Sequence, residues 1–220
     1  MYRALVWKEL RESAVVAGLG LAAFVCLIAR CTGAIQLPSL GIVGVPEVVP
    51  FAIGWYLGWC IALAGGIGIV LGLRQSGREV SRGTFLFLLH RPLRRERLIG
   101  VKLLVGLAVY LACTGLPTLA YACWAATPRT HPSPFEWSMT ATTWEVLVAL
   151  TPMYLAGFLC GLRPGRWYGS WLLPLAGVAL LVELVEAPPT VPLVGRLALI
   201  ALLNAALASS ILFVGRTRDY

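Results

Sequence analysis

The sequence predicts an all-α polytopic membrane protein with six transmembrane helices. An N-terminal interface helix precedes them, and a cytoplasmic helix lies between the second and third. Three observations carry this. Of the 220 residues, 59% are hydrophobic and only 13% charged, about half the charge of an ordinary soluble domain. The apolar residues fall into runs of roughly 18 or more, long enough to cross a bilayer. The basic residues, which give a formal net charge of +8, collect at the ends of those runs, where anionic headgroups and the positive-inside bias account for them. The same placement argues against nucleic acid as a partner, since no soluble domain remains to hold one. The chain reads as one transmembrane domain over residues 1–220.

Residues 1–13, "MYRALVWKELRES", place Tyr2, Val6, Leu10 and Trp7 on one helical arc and Lys8, Arg11, Glu12 and Glu9 on the other. That pattern suits a helix lying in the membrane interface, or else an extension of the first span. The first apolar run, 14–34, exceeds a signal-peptide core and is followed by further spans, so it is expected to stay in the mature chain. A loop with Pro38, Pro46 and Pro50 follows.

Span 2, at 51–73, is glycine-rich. Gly54 with Gly58, and Gly68 with Gly72, are small-x-x-x-small pairs, and Ala62 and Gly66 extend the first into a smooth face suited to close helix approach. The partner could lie within the chain or in a second copy. Span 3 is expected at 103–124 with Pro117, span 4 at 144–162 with Pro152, span 5 at 170–185 with Pro174, and span 6 at 193–214. The six cysteines lie in or beside apolar runs and form no C-x-x-C pair, so they read as small hydrophobes.

Charge sets the orientation. One side receives Arg3, Lys8 and Arg11, eight basic residues between spans 2 and 3, Arg163 and Arg166, and Arg216 and Arg218. Only Arg30, Arg129 and Arg196 remain for the other, while the acids divide evenly. The basic side is therefore expected to be cytoplasmic, with both termini there, in a cell (inner) membrane.

The polar stretch 74–102, "RQSGREVSRGTFLFLLHRPLRRERLIGVK", is the densest in charge. Ser76 and Glu79 have capping-box spacing, which predicts a helix starting at Ser76. Apolar residues recur through Leu89, and Pro92 disfavours helix just before it. A helix over 76–90 is expected, either lying on the inner leaflet or offering Phe85, Phe87 and Leu88 as anchors to a cytoplasmic partner.

This stretch resembles the corresponding loop of type 2 ATP-binding-cassette (ABC) permeases. The pattern is met by Glu79, Gly83, Thr84, Leu88, Leu89, Pro92, Arg95 and Lys102, and "WKELRE" at 7–12 is similar to the family's interface helix. The resemblance implies that 76–90 is a coupling helix docking a separate ABC ATPase subunit through Glu79, Gly83, Thr84, Phe85, Phe87, Leu88, Pro92 and Arg95. It implies a permease homodimer or heterodimer, an exporter, and ATP and Mg held only by the partner. The short "VELVEAPPTVP" between spans 5 and 6 departs from the larger outer element frequent in that family.

This chain has no G-x-x-x-x-G-K-[ST] phosphate loop. Asp219 is its only Asp, and His90 and His131 fall on opposite sides of the expected bilayer, so neither an Asp-rich metal site nor a paired-His site can form. No catalytic or metal-ligating residue is therefore assigned. Asn204, in span 6, is expected to hydrogen-bond between helices. Glu145, Glu183 and Glu186 are expected at a wetted outer lip. The spans are apolar with few fixed charges, which fits an amphiphilic cargo and a closed bundle equally. A non-transporting scaffold that docks a cytoplasmic factor is the alternative function, and a membrane enzyme using Glu183 and Glu186 a more distant third.

Overall fold

A computed structural model describes residues 2–34, 49–51, 54–81, 95–162, 168–186 and 192–217. Among these residues the regular structure is entirely helical: α1 (Tyr2–Cys31), α2 (Trp55–Ser81), α3 (Arg95–Ala125), a 3₁₀ turn (Trp137–Thr140), α4 (Ala141–Ala149), α5 (Thr151–Leu162), α6 (Tyr168–Glu186) and α7 (Leu193–Thr217). Among the described residues, five helical segments are long and apolar enough to cross a membrane: those carried by α1, α2, α3, the run Trp137–Leu162, and α7. The chain is a multi-pass helical membrane protein. The predicted fifth span falls on α6, which carries Pro174 within it. Its apolar part is the shorter stretch Leu172–Glu183, about 18 Å long at 1.5 Å per residue.

α1, α2, α3 and the α4–α5 run alternate in direction, and α7 runs parallel to α4–α5; side-chain pairs at both ends fix that arrangement. At the end rich in basic residues, here the basic end, Lys102 Nζ on α3 meets Glu9 on α1 at 3.0 Å, and Arg216 on α7 meets Glu96 on α3 at 2.8 Å. At the far end, the Arg30 guanidinium of α1 sits 4.3 Å from the ring centre of Trp55 on α2, and Arg196 on α7 meets Glu145 on α4 at 3.0 Å. An aromatic group of Phe51, Tyr56, Tyr121 and Trp124 packs α2 against α3 at this end, with ring centres 4.7–5.7 Å apart.

The helix expected over 1–13 is not separate. Those residues are the first turns of α1, which continues unbroken to Cys31. The two-arc reading also fails at Glu9, Trp7 and Leu10, though Val6 packs on the core and Arg11 is exposed. Glu9 is fully buried, in register with Ser13, Val16, Gly20 and Phe24 on the face turned inward, while Trp7 is 71% exposed. The 3.6-residue period places 9, 13, 16, 20 and 24 on one stripe, and tertiary packing selects that stripe over the more apolar one.

The helix expected to start at Ser76 does not start there either. α2 continues through it to Ser81, and the Ser76 hydroxyl donates to the Gly72 carbonyl at 2.8 Å. This is the back-bonding of a serine inside a helix rather than a cap.

The centre of the bundle is α5. Every residue of Thr151–Leu162 except Met153 is buried. Its broadest contact is with α2, and glycine makes that contact possible. A Cβ at Gly72 would strike the Tyr154 carbonyl and the Phe158 nitrogen of α5. One at Gly157 would lie 2.8 Å from the Ile69 carbonyl, and one at Gly161 would strike the Ser76 hydroxyl. The backbones themselves touch, as small-residue crossings allow.

Candidate functional site

At the basic end four helices converge on one buried polar cluster. α1 contributes Glu9, α2 contributes Gln75, α3 contributes Lys102 and α5 contributes Tyr154. The Glu9 and Lys102 side chains are 0% and 1% exposed and 3.0 Å apart. Gln75 joins the pair to the other helices. Its Nε2 donates to Glu9 Oε2 at 3.0 Å and to the Lys102 carbonyl at 2.8 Å, and its Oε1 accepts from the Tyr154 hydroxyl at 2.8 Å. Both amide protons and the amide oxygen are thus engaged. The Leu103 carbonyl lies 3.3 Å from the same hydroxyl.

Gly106 makes room for this cluster. A Cβ there would collide with the Tyr154 hydroxyl and Gln75 Oε1. Gly106 is one α-helical turn from Lys102, so glycine at this position lets α3 bring the lysine carbonyl to the amide.

An opposite-charge pair withdrawn from water costs several kcal/mol per ion to desolvate. It survives only where geometry and further hydrogen bonds compensate. Here the charges cancel and Gln75 supplies a charge-assisted hydrogen bond to the carboxylate. The cluster clamps four helices, with strong penalties for removing one ionic partner alone.

Its position relates it to the polar stretch singled out above. Gln75 lies six residues before the end of α2 and Lys102 seven residues after the start of α3, so the clamp joins the two helices that flank residues 82–94 in the sequence. Of the residues assigned to partner docking, Gly83, Thr84, Phe85, Phe87, Leu88 and Pro92 lie outside the described residues. Glu79 falls in the last turn of α2, and Arg95 is the first residue of α3.

No family model, curated protein or solved structure matches the chain. Function is therefore argued from the residues themselves.

The other polar residues resolve as follows. Asn204 does bond between helices: its Nδ2 donates to Thr151 Oγ1 at 2.9 Å. Glu145 is a half-buried partner of Arg196 rather than a lone lip residue. Glu183 is exposed near the end of α6. Ser209 and Ser210 both donate to the Ala206 carbonyl at 2.8 Å.

The docking assignment by itself did not predict the clamp. Glu9 resembles any acid of an amphipathic segment, and Tyr154 is one aromatic in an apolar run. One available signal was Gln75 and Lys102, which flank the polar stretch at the two points where apolar helix begins. The other was the inward stripe of α1, which puts Glu9 in register with Ser13 and Val16.

Proposed function

We propose that this chain is the membrane-spanning permease subunit of an ABC exporter, in which a separate ATPase subunit drives the helices through the segment between α2 and α3. The observation that supports this reading best is the buried clamp. A segment that receives force from a soluble partner needs anchoring to the helices that must move, and the clamp joins α2 and α3, the two helices that flank 82–94 in the sequence. The clamp ties α2 and α3 to α1 and α5, so a force applied through α2 or α3 would be shared by four helices. The basic end is cytoplasmic in this reading, with both termini there and six spans in all. Glu79, Gly83, Thr84, Phe85, Phe87, Leu88, Pro92 and Arg95 form the docking surface. ATP and Mg belong to the ATPase, and two permease copies make the complete pore. Transport requires that nucleotide binding favour one arrangement of the spans over another through contacts that differ between the two.

The test is co-purification with an ABC ATPase and measurement of its activity in lipid. Glu79→Ala and Phe85→Ala are expected to lower ATPase association or its stimulation by the permease severalfold, on the order expected for removing an interface anchor, with membrane insertion normal. Wild-type stimulation in both variants would defeat the proposal.

A second reading, a non-transporting scaffold docking a cytoplasmic factor, draws on the near-complete burial of α5, which suits a static core. A factor that binds the chain and hydrolyses no nucleotide would favour it.

A further inference from the structure

The fourth apolar run is broken in its middle, and the groups around the break are arranged to serve it. α4 ends at Ala149 and α5 begins at Thr151, with Leu150 between them. Pro152 has no N–H, so the Val148 carbonyl lacks its ordinary helical donor. In a bilayer an unmet carbonyl must find a partner within the protein. The Thr151 hydroxyl supplies it, donating to the Val148 carbonyl at 2.7 Å. The neighbouring Leu147 carbonyl accepts the hydroxyl of the fully buried Tyr110 of α3 at 3.0 Å. Asn204 of α7 then donates to Thr151 Oγ1. Side chains from three helices therefore maintain an interruption that a continuous helix would not need.

The two sides of the break are held by different things. α5 is locked to α2 by the glycine crossing and to the clamp through Tyr154. α4 is tied to the first turn of α7 by Glu145 and Arg196, and to α3 by the hydrogen bond from Tyr110 to the Leu147 carbonyl. Asn204 Oδ1 is shielded from solvent and has no hydrogen-bond partner among the described residues. A half-turn of the amide would bring this oxygen to the Thr151 hydroxyl, giving that hydroxyl a choice of two acceptors: the Val148 carbonyl, used here, and Asn204. Two hydrogen-bonding arrangements of the same few groups are what a bistable element requires.

We propose that residues 150–152 are a joint. At it the far half of this span, carrying the start of α7 with it, swings against the fixed α2–α5 block, and Asn204 and Thr151 act as its catch. The joint belongs to this chain whether or not an ATPase drives it, so its test uses the full-length chain alone in lipid nanodiscs.

Exposed Cys26 and Cys123 are replaced by Ala, and pulsed-EPR distances are measured for two label pairs at exposed positions. Trp137→Cys with Val25→Cys spans the far half. Trp7→Cys with Leu104→Cys spans the basic end. The far pair is expected to give a distribution about twice as broad as the basic-end pair, because its two arrangements interconvert. Pro152→Ala restores the missing donor and is expected to narrow the far pair to the width of the other. Asn204→Ala is expected to change the proportions of the two far-end distances and leave the basic-end pair unmoved. Should Pro152→Ala not insert, Thr151→Val removes the catch hydroxyl and is expected to redistribute the far pair in the same selective way. A far pair as narrow as the basic-end pair in the parent protein would overturn the joint. So would a far distribution untouched by both Asn204→Ala and the variant at 151 or 152.

Discussion

The two halves of α2 carry the same kind of sequence and meet opposite fates. Toward the basic end, Gly68 and Gly72 lie against the backbone of α5, and a methyl group at Gly72 would collide with it. Toward the far end, Gly58 and Gly66 continue the stripe that begins at Gly54, and a Cβ added at any of the three would meet no other helix within 4 Å. Trp55, Trp59 and Val70 are exposed along the same helix. The difference lies in the opposing helix. α5 presents its own pair, Gly157 and Gly161, so small residues on both sides allow the backbones to meet. A small-residue stripe thus specifies a crossing only when another helix answers it. The polar groups follow the same division: the answered half ends in Gln75 and the clamp, the open half in the Arg30–Trp55 contact.

The sharpest way to break this comparison is at the clamp. Lys102→Ala leaves the Glu9 carboxylate buried without its cation and is expected to cost about 3–5 kcal/mol, read as loss of chemical or thermal stability in a fixed detergent. The double substitution Glu9→Leu with Lys102→Met is expected to recover much of that loss, because Gln75 keeps the Lys102 backbone carbonyl as an acceptor. A double variant worse than the single one would show that the charges themselves hold the fold.

The glycines come next. Gly72→Ala is expected to destabilise by about 1–3 kcal/mol, since backbone atoms must move to admit the methyl group. Gly58→Ala is expected to stay within about 0.5 kcal/mol. Equal melting temperatures for the two variants would erase the distinction between the halves.

The smallest effect is expected at Arg216 and Glu96. Their side chains are 59% and 46% exposed, so Glu96→Ala should change stability by no more than about 1 kcal/mol. Whatever contribution the pair makes should fade with added salt, in contrast to the buried pair of Glu9 and Lys102.

Much of the fold was legible in the sequence because a bilayer asks for long apolar runs, and those runs match the helices to within a few residues at most ends. The ion pairs also respect the sides assigned by charge counting: Arg196 meets Glu145, and Arg216 meets Glu96. Asn204 was legible too, since a strong polar group within an apolar run needs a partner. The clamp was not. Its members sit on four helices, up to 145 positions apart in the numbering (Glu9 to Tyr154), and each alone has an ordinary explanation. The glycine register hid for a similar reason. Gly66 and Gly68 are two residues apart, which at 100° per residue puts them on opposite faces, and nothing in α2 says which face α5 will take. Ser76 and Glu79 had the spacing of a helix start, but spacing cannot tell a new helix from the last turns of an old one.

The unbroken length of α1 has a consequence for the membrane that houses it. Thirty residues of helix span about 45 Å, some 15 Å more than a typical hydrocarbon layer. Glu9 lies roughly 10 Å along that rod by the same rise per residue; with the rod centred on the hydrocarbon layer, that is near the level where hydrocarbon gives way to headgroups. A thicker bilayer would draw the Glu9–Lys102 pair deeper into hydrocarbon, and a thinner one would lift it toward water. Hydrophobic mismatch of a few Å is energetically modest, but here it acts directly on an ion pair that joins four helices. Stability is therefore expected to depend on acyl-chain length, and a series of lipids from short to long chains should show an optimum rather than a plateau.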